Sequence, residues 1–495
     1  MGKNGPVSTQ TVALDALATW PRCKVAYGCA GRAVDPYLRC AAHLTPDELE
    51  TYAAGLGPGD DLDLRGVTVP PHVLSVLLDA LTGPDGRPHL GRGRFDGAVL
   101  PSPFSLSGAC LEGDSSFDGA CFTGAACFLD ARFLGHVSFR RVRFRGNASF
   151  HGARFHRHAT FEEAVFAGDA LFGETIWQAD ASFSRAVFIG AAAFDRARFG
   201  RDAWLQAARF AGAVSFRRVR VTRQARFERV SFRRDAWLGP LAAGVRLRLA
   251  DAVAHGTLHV SAVTRALDAR GLSVRGAADF RLRHADLDLE NAVFDGAVSV
   301  RTVDHPFHGL TDLPHEPVVR VLSLCGTTAP GVALTDVDLS RCRFLGLARP
   351  ERLRLSGCSF ATAPPSRWRL PGWHTRRHAV LAEDLTGSAN ADLLETLYRQ
   401  LASAAHECED GRKLERDFRY CALDIRRRTE RDQWRRLGLH LLWLTCGYGL
   451  RIGRTLLCLA VLATAVWFGL ALARHGATPV TPTRHAISSP QGRAR

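Results

Sequence analysis

Several signatures of function are missing from these 495 residues. The chain contains no G-x-S-x-G, no P-loop and no H-E-x-x-H, so it offers no nucleophile elbow, no phosphate cradle and no zinc-protease helix. The glycines Gly91, Gly93 and Gly97 miss the dinucleotide spacing by one residue. With no convergent acid, base and nucleophile in sight, a non-enzyme is expected. The thirteen cysteines, scattered from Cys23 to Cys458, lack the dense even spacing of a disulfide scaffold, which points to free thiols in a reducing compartment. The N-terminus lacks a cationic lead and a long apolar run, because Asp15 interrupts it, so no signal peptide is expected. Pro6 stands where a myristoylation site needs Ser or Thr. Lysine is almost absent, at Lys3, Lys24 and Lys413 only, and arginine supplies the rest of 64 basic residues and a net charge of +15. That surplus favours anionic partners, or is a solvated surface.

What the sequence does contain is rhythm. From Phe95 large apolar residues recur at steps alternating five and six: Phe95, Leu100, Leu106, Leu111, Phe117, Phe122, Phe128, Phe133, and onward to Phe232 and Leu238. Two positions before nearly every centre from Leu111 stands Ala or Val, with Ser115 and Thr175 as polar exceptions. A helix would scatter these centres, turning by about 140° and 240° at 3.6 residues per turn. A flat strand would put residues five apart on opposite faces. Short segments separated by bends, with small and large residues both inward, satisfy the pattern, and such units gain a core only by stacking.

Four segments per coil give 22 residues and align Phe122, Phe144, Phe166, Phe188, Phe210 and Phe232 in one column, with Phe117, Phe139, Phe161, Phe183, Leu205 and Phe227 in another. A coil of 20 residues is the alternative that a pure five-residue rhythm would give. Beyond Leu238 the rhythm loosens, with further coils suggested through Leu334, Leu339, Phe344, Leu355 and Phe360 and with Cys342 and Cys358 at inward small positions. The stretch from Thr302 to Pro317 reads as a loop. His156 and His158 flank Arg157 on an outer face and read as a solvated pair.

Both ends differ from the repeat. Cys23, Cys29, Cys40 and His43 form C-x5-C-x10-C-x2-H, a donor set suited to tetrahedral structural zinc, the alternative being unrelated free cysteines. Residues 46–91 look helical, starting at Thr45 with acids in the first turn. Val73, Val76, Leu77 and Leu81 are expected to cover the end of the stack, where unpaired strand edges need a cap. After the proline-rich stretch from Pro364 to Pro371, Leu394, Leu397, Tyr398 and Leu401 form one helical stripe and Leu414, Phe418, Cys421 and Ile425 another, with Glu409, Asp410 and Gly411 as the turn between them. Arg426 to Arg436 holds six arginines, and residues 455–473 are nineteen uncharged positions, long enough for a transmembrane helix, the alternative being a buried helix. Eight arginines in 426–454 against four in 474–495 would keep the bulk of the chain cytoplasmic in a single-pass arrangement.

The small-x-Phe/Leu-x-x pattern resembles the pentapeptide-repeat family. L-T-D-V-D-L-S-R-C-R-F-L-G at 334–346, L-Y-R-Q-L at 397–401, D-F-R-Y at 417–420 and G-Y-G-L-R at 447–451 look like its membrane-associated actinobacterial members. The resemblance implies an all-β solenoid, a right-handed quadrilateral β-helix. The chain then divides into a disordered tail (1–18), a zinc knuckle (19–45), a helical cap (46–91), a regular β-helix (92–240) and an irregular continuation (241–363). A linker (364–390), a helical hairpin (391–436), an interfacial segment (437–454), the membrane helix (455–473) and a tail (474–495) follow.

Two functions are in view. The first is a membrane-tethered scaffold that presents its β-helix to an unnamed protein partner, with homodimerisation open. The second, implied by the resemblance, is a soluble protein that binds nucleic acid or a type II topoisomerase as a DNA mimic. Residues 92–240 carry 22 Arg against 14 acids, a net of +8, which is the wrong sign for mimicry, and no recognition helix accompanies it for nucleic acid. The charge is also uneven, with five acids and no Arg from Phe95 to Asp130 and nine Arg with one acid from Arg209 to Arg234.

Overall fold

The computed structural model describes residues 20–25, 28–310, 316–363, 378–387, 390–406, 411–450 and 452–475. Its centre is a β-solenoid of about twelve turns. Each regular coil carries four two-residue strands, such as Val99–Leu100, Phe104–Ser105, Cys110–Leu111 and Ser115–Ser116. The next coil then repeats them in parallel, Cys121–Phe122 pairing with Val99–Leu100. The strands are this short because one inward residue per side is all that fits before the chain must turn.

Alternate corners are hydrogen-bonded turns. Phe117 O accepts from Ala120 N at 3.0 Å and Gly119 has φ +67°, which makes Phe117–Ala120 a type II turn with its third residue left-handed. The same corner recurs every eleven residues. Glycine fills it at 97, 108, 119 and 152, but Asp130, Arg141, Glu163, Arg185 and Arg196 also adopt φ of 52–61° there. Each non-glycine costs on the order of 1 kcal/mol, tolerated because the coils above and below fix the backbone.

The rings stack in columns. Phe117, Phe139, Phe161 and Phe183 lie nearly parallel with centroids 4.6–5.0 Å apart, and Phe128, Phe150, Phe172 and Phe194 do the same at 4.6–5.0 Å. Between these two columns the rings meet edge to face, as in Phe139–Phe150 at 5.5 Å and 85°. Parallel-offset contacts along the rod and perpendicular ones across it are the two geometries the aromatic quadrupole favours. The expected Phe122 column is present too, each ring stacked on the next from Phe122 to Phe232.

Both coil sizes occur. Arg132 pairs with Arg154 and Phe133 with Phe155, a 22-residue coil, whereas Ser273 pairs with Val253 and Val293, a 20-residue coil. The change falls across the long strand Ala236–Arg248, whose pairing slips between Leu238 and Leu241 and again between Ala243 and Arg246. Each slip removes one residue, where a six-residue corner becomes a five-residue one. Beyond the excursion that leaves the stack after Thr302, Val332 pairs with Val298 and then with Leu353. Cys342 is fully buried as expected, while Cys358 is only half-buried.

The first coil begins before residue 92: Leu62–Asp63 pairs with Gly93–Arg94 and Thr68 bridges to Val99. The helices α1 (Pro46–Ala54) and α2 (Pro71–Ala80) flank it. Val73, Leu77 and Leu81 are buried over the stack, and Leu74 takes the place anticipated for Val76, which is half-buried. The far end is also covered. Glu383, on the short helix α3 (Ala382–Thr386), accepts backbone N–H donors from Phe344 and from Leu345, the latter at 3.1 Å. Phe344, Phe360 and Phe418 continue the ring stack into the helical pair α4 (Ala391–His406) and α5 (Arg412–Thr429). Thus the two helices that the sequence presents as packing on each other also close the solenoid. Within the expected linker, Ala379–Val380 pairs antiparallel with Ala361–Thr362. The expected hairpin turn at Glu409 and Asp410 and the tails at 1–18 and 476–495 lie outside the described residues.

The transmembrane expectation needs correction. Residues 455–473 do fall within one helix, α7 (Ile452–His475), after α6 (Gln433–Cys446). Among the described residues, however, no helix is long and apolar enough to cross a membrane.

Candidate metal centre

The four predicted ligands converge. Cys40 opens a single 3-10 turn, Ala41–His43, so the C-x2-H pair meets at once, with Cys40 Sγ 3.3 Å from His43 Nδ1. Cys23 Sγ also lies 3.3 Å from His43 Nδ1, Cys29 Sγ lies 3.7 Å from it, and Cys29 and Cys40 sulfurs are 3.8 Å apart. Tetrahedral zinc with Zn–S of about 2.3 Å and Zn–N of about 2.0–2.1 Å sets its ligand atoms roughly 3.5–3.8 Å apart. The cluster therefore fits zinc in donor type, number and spacing, and all four ligand atoms lie within 4.8 Å of one another. Four protein ligands leave no open position, which makes the chemistry structural.

Local sequence explains the convergence. Gly31 lets Cys40 approach, because a Cβ there would sit 2.8 Å from Cys40 Cβ. The helix that follows is fixed by a capping box, Thr45 N donating to Glu48 Oε2 at 2.8 Å and Glu48 N to Thr45 Oγ1 at 3.3 Å. Glu48 also holds Arg39 at 3.2 Å. Arg32 N donates to Arg65 O at 2.8 Å, so the knuckle docks on the first coil.

Burial raises the Cys23 thiol, but donors from the Cys40 and Val25 backbone and from His43 more than offset this and hold it down at about 6. Burial and the neighbouring Cys29 and Cys23 push Cys40 up to about 12. Without a cation, three thiolates cannot share so small a volume; a divalent ion removes that penalty.

The outer faces carry a second recurring arrangement. Asp114 accepts His136 N at 2.8 Å, Asn147 accepts Asp169 N at 2.9 Å, Asp169 accepts Ala191 N at 2.9 Å and Asp202 accepts Gln224 N at 3.0 Å. These outward side chains each satisfy a backbone N–H one coil further on, at a corner where no carbonyl meets it. One residue before several of them the corner packs backbone on backbone and takes glycine: a Cβ on Gly168 would lie 2.6 Å from the Gly146 carbonyl carbon. Several outward acids are therefore engaged with the fold itself.

One outer face forms a groove of about 760 Å³ lined by Ser116, Ser138, Thr160 and Ser182, with Arg65, Arg92 and Arg94 at one end and Trp204 at the other. His136 and His158 stack in it at 5.5 Å, and His158 Nδ1 lies 3.6 Å from Asp180. His156 is half-buried and His158 exposed, and neither belongs to a group of three or more metal-ligating side chains among the described residues.

Residues 117–165 and 161–209 match the family model for pentapeptide repeats (9 copies). Residues 117–209 are pentapeptide repeats. No curated protein and no solved structure matches the chain. In pentapeptide-repeat terms the Phe columns occupy the central position, Ala and Val the inward position two residues before it, and the Asp, Asn and Gly corners the variable positions. The register of 22 extends this repeat on both sides of the matched segment, to Arg94 paired with Ser116 and to Ala236 paired with Leu258.

Proposed function

We propose that the protein is a non-catalytic scaffold, held at a membrane by its C-terminal helices, that presents the sides of the β-helix to a protein partner. The observation that carries the tether is the exposure of α6 and α7. Trp434 is 82% exposed and Trp467 71%, and Leu437, Leu441, Leu456, Leu459, Val461, Leu462, Val466, Phe468 and Leu470 are exposed with them. An apolar surface of this extent calls for a cover that water does not supply. Arg426–Arg436 immediately precedes it, placing cations where an anionic cytoplasmic leaflet would hold them. The stacked ends are capped by α2 and by α3–α5, which leaves the flanks, including the Ser116–Ser182 groove, as the interaction surface.

A DNA-mimicking role is poorly supported by comparison, because residues 92–240 are net positive and outward acids such as Asp169 and Asp202 are bonded to backbone N–H groups.

Fractionation of cells expressing the full chain and a chain ending at Arg436 tests the tether. The full chain is expected in the membrane pellet and the shortened one in the supernatant. Both chains in the supernatant would overturn the tether and turn attention to a helix-mediated dimer.

A further inference from the structure

A second group of metal-ligating side chains lies on the N-terminal coils, away from the cysteine knuckle. His89 and Cys110 are direct register partners on neighbouring coils. Glu112, two residues beyond Cys110, shares its outward face because Leu111 between them points into the core. One ligand atom from each of His89, Cys110 and Glu112 lies within 4.8 Å of the others, and His89 Nδ1 is 3.8 Å from Glu112 Oε1.

The imidazole is held ready for such a role. Asp85 Oδ1 lies 3.0 Å from His89 Nε2, and Asp85 is itself fixed by Arg87 N at 3.2 Å. The turn that carries it is closed by Gly83 N donating to Arg87 O at 2.9 Å. Gly83 gives the ring its place, since a Cβ there would come within 3.0 Å of His89 Cδ2. A carboxylate on Nε2 keeps the proton on that nitrogen and leaves the Nδ1 lone pair facing Glu112 and Cys110, the carboxylate–histidine–metal arrangement.

We propose that His89 Nδ1, Cys110 Sγ and the Glu112 carboxylate bind a divalent ion of the zinc class, with Asp85 as the residue that orients His89. One nitrogen, one sulfur and one oxygen suit zinc or cobalt and suit magnesium or calcium poorly. Three protein ligands leave a fourth position for water or an exchangeable ligand. Glu112 and His89 are partly exposed, their side chains at 53% and 27%, so the ion exchanges with solvent. Arg132, the register partner of Cys110 on the following coil, places a cation beside the cluster and weakens binding relative to the knuckle. The chain then holds a tight closed site at Cys23, Cys29, Cys40 and His43 and a weaker open one here.

Cobalt titration of the metal-stripped, detergent-solubilised full chain, read by thiolate-to-cobalt absorption, tests this. Two classes of site are expected. Cys110→Ser should abolish the weaker class and spare the tighter one, and Cys40→Ser should do the reverse. Asp85→Asn should weaken the second class roughly 10- to 100-fold without abolishing it. A single class in the full chain, or a weaker class that survives Cys110→Ser, overturns the proposal. Should the Cys110→Ser chain lose its circular dichroism, alkylation of Cys110 in the unaltered chain decides: slowing by zinc supports the site, and an unchanged rate overturns it.

Discussion

The indole Nε1 of Trp177 donates to Thr175 Oγ1 at 2.9 Å, and that hydroxyl in turn donates to Phe172 O at 2.8 Å. Trp177 takes the place of a phenylalanine in its column, lying 3.9 Å from Phe155 and 4° from parallel. It brings an N–H into an otherwise apolar core, and Thr175, fully buried, stands where other repeats have Ala or Val because that N–H needs an acceptor. Ser115, the other polar exception, likewise receives Gly93 N at 3.2 Å.

Thr175→Val should therefore cost about 1–3 kcal/mol, the penalty of an orphaned buried donor. Trp177→Phe in the same chain should recover most of it. Chemical denaturation of the two single variants and the double variant measures the coupling; additive losses would refute the pairing.

Phe150 packs on Phe128 and Phe172 and meets Phe139 and Phe161 edge-on. Phe150→Ala is expected to lose about 3–5 kcal/mol, whereas Arg157→Ala, at an exposed corner, should change stability by less than about 0.5 kcal/mol. Calorimetric midpoints of the two variants give the comparison.

Asp96 is half-buried, and burial raises its carboxyl above the ordinary value; the Ser116 hydroxyl opposes this and Asp118 adds to it. A carboxyl whose folded pKa exceeds its unfolded value of about 3.9 contributes most below that pH, and the contribution is lost as pH rises through the folded pKa. Asp96→Asn should accordingly raise the melting temperature at pH 7, with the gain closing as pH falls below about 4. A gain that persists at low pH would point to another cause.

Zinc content by elemental analysis should fall by one equivalent in Cys40→Ser. Because the knuckle docks on a solenoid that has its own core, far-ultraviolet circular dichroism should stay near that of the unaltered chain while proteolysis within residues 20–45 accelerates. Unchanged zinc in this variant would remove the closed site.

Much of this protein is legible in one dimension because a solenoid repeats one local rule. Steps of five and six residues forced a bend after each inward pair, so the columns of Phe117 and Phe122 followed from counting, as did the four ligands of the knuckle, whose last two share a turn. Counting failed wherever the rule changed or the contact was not periodic. The sequence left the coil at 20 or 22 residues; the pairing of Ala236–Arg248 with the next strand shows both. In the sequence Asp169 and Asp202 are only two of the 14 acids counted over residues 92–240, and the packed corner shows them bonded to backbone N–H groups. His89 and Cys110 are 21 residues apart, off the 22-residue step, and only the first coil's irregular register sets them side by side. Local periodicity determined the rod, whereas contacts between coils decided what closes it and which outward side chains meet, since those depend on register at the ends where the repeat stops.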